Sequence, residues 1–362
     1  MIYLDANATE PLRPAARDAA LVAMDLGNPS SIHHSGRAAR LVLEDAREAV
    51  ARHFNARPDD VIFCSGATEA NALAIHALGA GRPVLLGATE HDAVRAAAPG
   101  AGIIPVLPDG TADLAALAAM LAAHPGALVC LMAANNETGV LHPVADAARL
   151  CAAHGALLHV DAAQAAGRAN LDWLALGAAS VAISGHKFGG PMGAGALITR
   201  AGLSITPALR GGGQESNRRG GTPALPAIAG LAAALGQPYA AAEIAAWRDE
   251  IEAFCISHGA VIAGAGAPRL PNTTCIALPG VRADTQLIAM DMAGCAVSAG
   301  AACSSGKLAA SHVLEAMGLG VLAGQAIRVS LPWNMAAESV QGFQAAYAAM
   351  CKHALHARAR CA

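Results

Sequence analysis

The amino-acid sequence predicts an α/β protein: a mostly parallel sheet flanked by helices, with a smaller α+β domain after it. Two observations predict this. From about Val61 to Leu203, short apolar runs alternate with helix-like stretches, the pattern of βα units around a parallel sheet. After the glycine-rich "RGGGQESNRRGGTP" and the helical "ALPAIAGLAAALG", the pattern becomes strand-like runs mixed with helices, which puts a domain change near Ala242. The large domain is read as residues 16–242 and the small one as 1–15 with 243–362, the N-terminal tail rejoining it in space.

The strand-like runs of the first part are "VIF", "PVLLG", "ALVCLMA", "ALLHVD", "SVAISG" and "GALIT". They are short and continuously apolar, as strands covered on both faces are. Between them, "ATEANALAIHALG", "ADLAALAAMLAAH" and "PVADAARLCAAHG" have helical length and composition, although abundant alanine blurs their period and their ends. In the second part, "TTCIALPG" and "AIRVSLP" read as strands and "TQLIAMDMAG" as a helix.

Composition excludes several function classes. The 362 residues are 54% hydrophobic, enough for a sizeable core, and the net charge of -3 with 3% aromatics leaves neither a polybasic footprint nor a stacking platform for nucleic acid. Small molecules and proteins are the expected partners. The N-terminal "MIYLDANATEPLRP" carries acid where a signal peptide carries base, and no apolar run reaches the roughly 18 residues that span a bilayer. A cytoplasmic protein is expected. The nine cysteines lack CxxC spacing and most sit in apolar runs such as "VIFCSG", so they read as core thiols. No HExxH or Cys/His cluster marks a metal site, and His33 is expected to pack behind "GNPSS".

In an open α/β sheet, ligands sit at the carboxyl ends of the strands. Four stretches there carry chemistry. "SGATEANAL" sets Ala67 and Thr68 between a strand and a helix, where backbone N–H groups and a hydroxyl hold a phosphate or simply cap the helix. "LLHVDAAQ" delivers Asp161 at a strand tip and Gln164 after it, as a site carboxylate or a cap. "AISGHKFGG" presents Ser184, His186 and Lys187, followed by glycines expected to keep the approach open; a lysine there is otherwise a solvated charge. "GATEHDAV" puts His91 after "PVLLG", in a structural or a catalytic role. One cofactor uses all four. Pyridoxal phosphate needs a lysine for a Schiff base, an acid to keep its pyridine nitrogen protonated, and a phosphate anchor. A free lysine, with a pKa of about 10.4, is a poor nucleophile at neutral pH, so the site must favour imine formation.

In order along the chain, "YLDANAT", "GNPSSIH", "SGATEANALAI", "TEH", "NNETGV", "HVDAAQ", "SGHKFGGPMGAGAL", "RRGGT", "AGAACSSG" and "IRVSL" resemble the NifS/IscS-type cysteine desulfurases. These belong to the class V aminotransferase superfamily of fold-type I pyridoxal phosphate enzymes. The resemblance covers nearly the whole chain and implies a seven-stranded-type sheet in the large domain. It further implies that Ala67, Thr68, Ser184 and His186 bind the phosphate, that His91 stacks on the pyridine ring and acts in catalysis, and that Asn136 lies near cofactor and substrate. Asp161 is implied to pair with the ring nitrogen, Gln164 to contact the ring hydroxyl and Lys187 to form the Schiff base. Thr222 is implied to reach the phosphate of a neighbouring subunit in a homodimer, and Arg328 to clamp the substrate carboxylate.

By the same resemblance, L-cysteine is converted to L-alanine and its sulfur is carried as a persulfide on Cys303 to a protein acceptor for iron-sulfur cluster or thiocofactor assembly. Cys303 lies in "CAVSAGAACSSGKLAASH", too small and glycine-rich for a core; composition alone fits a moving loop or a plain surface loop with an incidental cysteine equally. A selenocysteine lyase, a β-lyase or an aminotransferase would need no such thiol, and a sulfur-relay scaffold would need no Lys187. Against many relatives the chain loses a hydroxyl at Ala163, a charge at Met192 and a hydroxyl at Gly221. It ends soon after "MCKHALHARARCA", shorter than relatives whose tails help dock a scaffold, which leaves the acceptor open.

Overall fold

The computed structural model describes residues 1–169, 177–300 and 310–361. The strands among these described residues are β1 (Ile2–Tyr3), β2 (Val61–Cys64), β3 (Val84–Gly87), β4 (Gly102–Ile104), β5 (Leu128–Met132), β6 (Leu157–Asp161), β7 (Ser180–Ser184), β8 (Gly195–Thr199), β9 (Val261–Ala263), β10 (Thr273–Ala277), β11 (Cys295–Ala296) and β12 (Ala326–Ser330). Seven of them form one sheet in the order β2-β8-β7-β6-β5-β3-β4. The continuous apolar runs are central strands here: β5, β7 and β8 are buried at every residue. Helices cover both faces, which is why no alternation of polar and apolar residues was needed.

Only β8 opposes the others. It pairs antiparallel with both β2 and β7, so β2 and β7 run in one direction and join the parallel set β7, β6, β5, β3, β4. The carboxyl ends of β2, β3, β5, β6 and β7 therefore face the same edge of the sheet. That edge is where the sequence concentrates its polar residues.

A second sheet, β12-β10-β9, is antiparallel, and a separate core around Ile276, Ile327, Phe343 and Tyr347 packs against it. The N-terminal segment belongs to this side: β1 pairs with β11, and Ala6 N–H donates to the Ser330 carbonyl. The C-terminal helix Glu338–Cys361 also lies here, with Phe343 and Tyr347 fully buried.

Among the described residues no helix is long and apolar enough to cross a membrane. The seven cysteines whose side chains are described are all free and buried, as their apolar surroundings predict. His33 departs from the expectation. It is exposed, and its ring nitrogen accepts from Gly36 N–H at 3.3 Å, capping the helix His34–His53 instead of packing behind "GNPSS". A nitrogen acceptor at the N-cap satisfies a helix donor that would otherwise face water alone.

Candidate active site

A cavity of about 420 Å³ opens at the carboxyl edge of the large sheet. Its wall gathers Ala67 and Thr68, His91, Asn136, Asp161 and Gln164, and Ser184, His186 and Lys187. They come in five groups, from the ends of β2, β3, β5, β6 and β7 or the segments that follow them. Thr222 is exposed and lines no part of this cavity, and Arg328 is buried beside it without being part of the lining. Cys303 lies outside the described residues.

The floor is a helix end. Gly66, the N-cap of the helix Ala67–Leu78, makes no side-chain cap, so the first-turn N–H groups turn toward the cavity. Strand β8 runs close beneath. A Cβ on Gly195 would stand 2.6 Å from the Gly66 backbone, so only glycine allows this approach. Glu69 in the same first turn accepts from Arg219 at 2.7 and 3.1 Å, tying the "RRGGT" loop to the helix. The loop is anchored again by Glu215, which accepts from Arg47 at 2.7 and 2.8 Å and from Phe63 N–H at 2.9 Å.

Lys187 follows β7 in the short turn Gly185–Lys187. Its Nζ donates to the carbonyls of Asn7 at 2.6 Å and Ala8 at 3.1 Å. Burial lowers the pKa of this amine to about 8, helped by Arg328 and Arg168 and opposed by Asp161 and Asp5. Of the glycines after Lys187, only Gly193 borders the cavity. Gly189 packs instead on Arg13, where a Cβ would meet Cγ at 2.6 Å, so those glycines serve close packing more than open approach.

Asp161, 6% exposed at the tip of β6, accepts from Asn71 Nδ2 at 2.7 Å and from Ala163 N–H at 2.9 Å. Burial raises its pKa, while those two donors, His91 and Lys187 pull it down. His186 Nδ1 lies 2.7 Å from Thr9 Oγ1, and burial keeps the ring neutral, with a pKa of about 4. Gln164 donates to the Asn7 carbonyl at 3.0 Å and accepts from Arg168 at 2.7 Å. Arg328 donates to Asp5 at 2.6 Å and to the Asn136 carbonyl at 3.2 Å, and its Nε is buried with no partner among the described residues.

Several residues escaped the sequence reading. Asn7 touches Asn136, Thr273, Gln164, Lys187, Arg168 and Asn272, and Arg168 pairs with Glu10 at 2.6 Å with both side chains 1% exposed. The signal was present in "YLDANAT", but contacts between residues so far apart in the chain leave no local period to read. Ala163 and Met192, two of the noted departures, line the cavity.

The family described as Aminotransferase class-V matches residues 2–343. A cysteine desulfurase of Cereibacter sphaeroides is 39% identical over 360 residues, covering 93% of this chain and 92% of that protein. An IscS-like cysteine desulfurase of Mycobacterium tuberculosis is 36% identical, with 91% of both chains covered. A crystal structure of a NifS-like protein from Rickettsia africae superimposes with a TM-score of 0.90 at 33% identity, covering 97% of this chain and 99% of that one. The chain belongs to the class-V aminotransferases of fold-type I, and within them to the cysteine desulfurases.

Enzymes of this family use pyridoxal 5'-phosphate, and the residues present fit it. An uncapped helix N-terminus with a hydroxyl at Thr68 suits a phosphate, a buried carboxylate suits a pyridinium, and a lysine of lowered pKa suits an aldehyde.

Proposed function

We propose that this enzyme takes the sulfur of L-cysteine onto Cys303 as a persulfide, releases L-alanine, and passes the sulfur to a protein acceptor for iron-sulfur or thiocofactor assembly. Ala67, Thr68, Ser184 and His186 hold the cofactor's phosphate. Asp161 faces its ring nitrogen, Gln164 its ring hydroxyl, and His91 stacks on the ring. Lys187 is the lysine that carries it. When bound, the cofactor supplies a carbonyl for amines and an electron sink for a neighbouring Cα–H bond.

The chain's own residues do the rest. Arg328 and Asn136 orient the amino acid, the guanidinium gripping its carboxylate in a two-pronged contact. The Lys187 amine, unprotonated in part at neutral pH, moves the Cα proton. The Cys303 thiolate then attacks the substrate sulfur. A sulfur–sulfur bond forms and the carbon–sulfur bond breaks; its electron pair stays with the carbon fragment, which takes up a proton and leaves as alanine. The observation that carries this reading is the convergence of Lys187, Asp161 and the helix end at Ala67 on one cavity.

The working unit in this reading is a homodimer in which Thr222 of each protomer completes the other's phosphate site. The exposure of Thr222, on a loop pinned to the phosphate helix through Arg219 and Glu69, supports it. Residues 16–242 and the pair 1–15 with 243–362 are the two domains, a division supported by their separate cores. Free, buried thiols support a reducing, cytoplasmic setting.

The test is to incubate the enzyme with L-cysteine, measure alanine and map the modified peptide by mass spectrometry. Persulfide on Cys303 in amount equal to the alanine is expected. Undiminished sulfur transfer to an acceptor by Cys303→Ala would overturn the role of that thiol. Mixed dimers of Thr222→Ala with Lys187→Ala are expected to regain one intact site, since the Lys187 of one protomer meets the unaltered Thr222 of the other, and activity no higher than that of a single Thr222→Ala site would exclude a shared site.

A further inference from the structure

Behind Asp161 runs a chain of buried polar side chains that the reaction itself does not call for. Ser180 Oγ lies 2.8 Å from His159 Nδ1, and His159 Nε2 lies 2.9 Å from Asn71 Oδ1. Asn71 Nδ2 then donates to Asp161 Oδ2 at 2.7 Å. Ser180, His159 and Asn71 are wholly buried. Asn71 and Asp161 reach the cavity wall; His159 and Ser180 stand behind it, on β6 and β7.

The charge at one end sets the direction of every bond. An ionised carboxylate only accepts, so Asn71 must turn its NH2 to Asp161 and its carbonyl to His159. That carbonyl requires a proton on His159 Nε2. The bare Nδ1 then accepts a hydrogen bond from the Ser180 hydroxyl. If Asp161 were protonated and donated to Asn71, the amide would flip and the histidine would have to carry its proton on Nδ1. The chain is thus a two-state device with one state matched to a negative Asp161. His159 stays neutral within it, since burial lowers its pKa to about 4, so one tautomer or the other holds at neutral pH.

We propose that His159, backed by Ser180, is a positioning residue that acts through Asn71 to keep Asp161 ionised and aimed into the cavity. This rests on the reading of Asp161 as the partner of the cofactor's ring nitrogen. Asp161 needs such support because it is buried, which disfavours its charged form. Lys187, His91 and Ala163 N–H act on the favourable side. Asn71 adds a further donor, and His159 decides which end of its amide is offered.

Nitrogen-15 NMR of the holoenzyme with labelled histidine reads the tautomer directly. A proton on Nε2 of His159 is expected, and a proton on Nδ1 would overturn the proposal. His159→Leu should weaken cofactor retention in dialysis by about tenfold, the order expected for a buried acceptor that loses its donor, and shift the pH at which the holoenzyme's visible absorption titrates. His159→Gln, which keeps a donor and an acceptor, should restore most of both. Unchanged retention and titration in folded His159→Leu would refute the relay. If that variant does not fold, Ser180→Ala should shift both readouts in the same direction by less, and no shift would equally refute it. Asp161→Asn separates the two levels: if it leaves retention and spectrum unchanged, the reading of Asp161 fails. If it alters both while the His159 and Ser180 variants do not, the relay alone fails.

Discussion

The Asn7 carbonyl accepts from Lys187 Nζ at 2.6 Å and from Gln164 Nε2 at 3.0 Å, so one oxygen of the N-terminal segment holds two side chains of the large sheet's edge. The Asn7 side chain extends the link. Its Nδ2 donates to the Asn136 carbonyl and to Thr273 Oγ1, and its Oδ1 accepts from Arg168 and Asn272. The segment that begins with β1, paired to β11, and then bonds to Ser330 of the second sheet is thereby built into the cavity's wall.

Asn7→Ala is expected to destabilise the protein by about 2–4 kcal/mol, because it strands several buried donors and acceptors at about 1–3 kcal/mol each, with partial relief from rearrangement. Urea unfolding of the holoenzyme checks this. Asn7→Asp should not rescue it fully, since the amide donors to Asn136 and Thr273 are lost.

The Lys187 amine, lowered to about 8 chiefly by burial, loses its proton well below the ordinary lysine value. The rate at which cofactor-free enzyme takes up pyridoxal phosphate should therefore rise with pH and level off above about 8. A rise that continues to about pH 10 would mean an ordinary lysine. Lys187→Ala should lose visible cofactor absorption and about 10²- to 10⁴-fold in turnover, the range for a lost proton-transfer group.

Arg328 gives one guanidinium nitrogen to Asp5 and another to the Asn136 carbonyl, and its buried Nε has no partner among the described residues. Arg328→Lys keeps the charge and loses the fork. Steady-state kinetics should show KM for L-cysteine raised about tenfold or more, with a smaller effect on kcat.

His142 is buried, accepts from Ala112 N–H at 3.2 Å and stands 3.3 Å from Thr89 Oγ1. Burial lowers its pKa to about 4, against about 6.5 in the unfolded chain. Between those values the unfolded state binds the extra proton, so this residue's contribution to stability falls as pH falls. Compared with His142→Gln, the wild type should lose about 1.4 kcal/mol for each pH unit from 6.5 toward 4, read from urea midpoints at several pH values. A difference independent of pH would mean that the histidine is charged in the folded state.

The positions of Asp161, Lys187 and His91 at strand ends were legible because a buried strand has a local signature, a short apolar run, and chemistry sits where the run stops. The helix end at Ala67 was legible for the same reason. Asn71 and His159 were not. Each sits inside a regular element, where the sequence pattern marks only a buried position, and their meeting depends on the pairing of β6 with β7 and on the packing of the helix Ala67–Leu78 across the sheet.

The sequence by itself determined the alternation of strands and helices, the polar residues at strand ends and the family, since each rests on local order along the chain. Tertiary structure decided which way β8 runs, where the N-terminal segment enters the site, and which groups shift the charges of Lys187 and Asp161. Those depend on burial and on contacts between distant residues, such as the Asn7 carbonyl on Lys187, and only the folded chain brings these within hydrogen-bond reach.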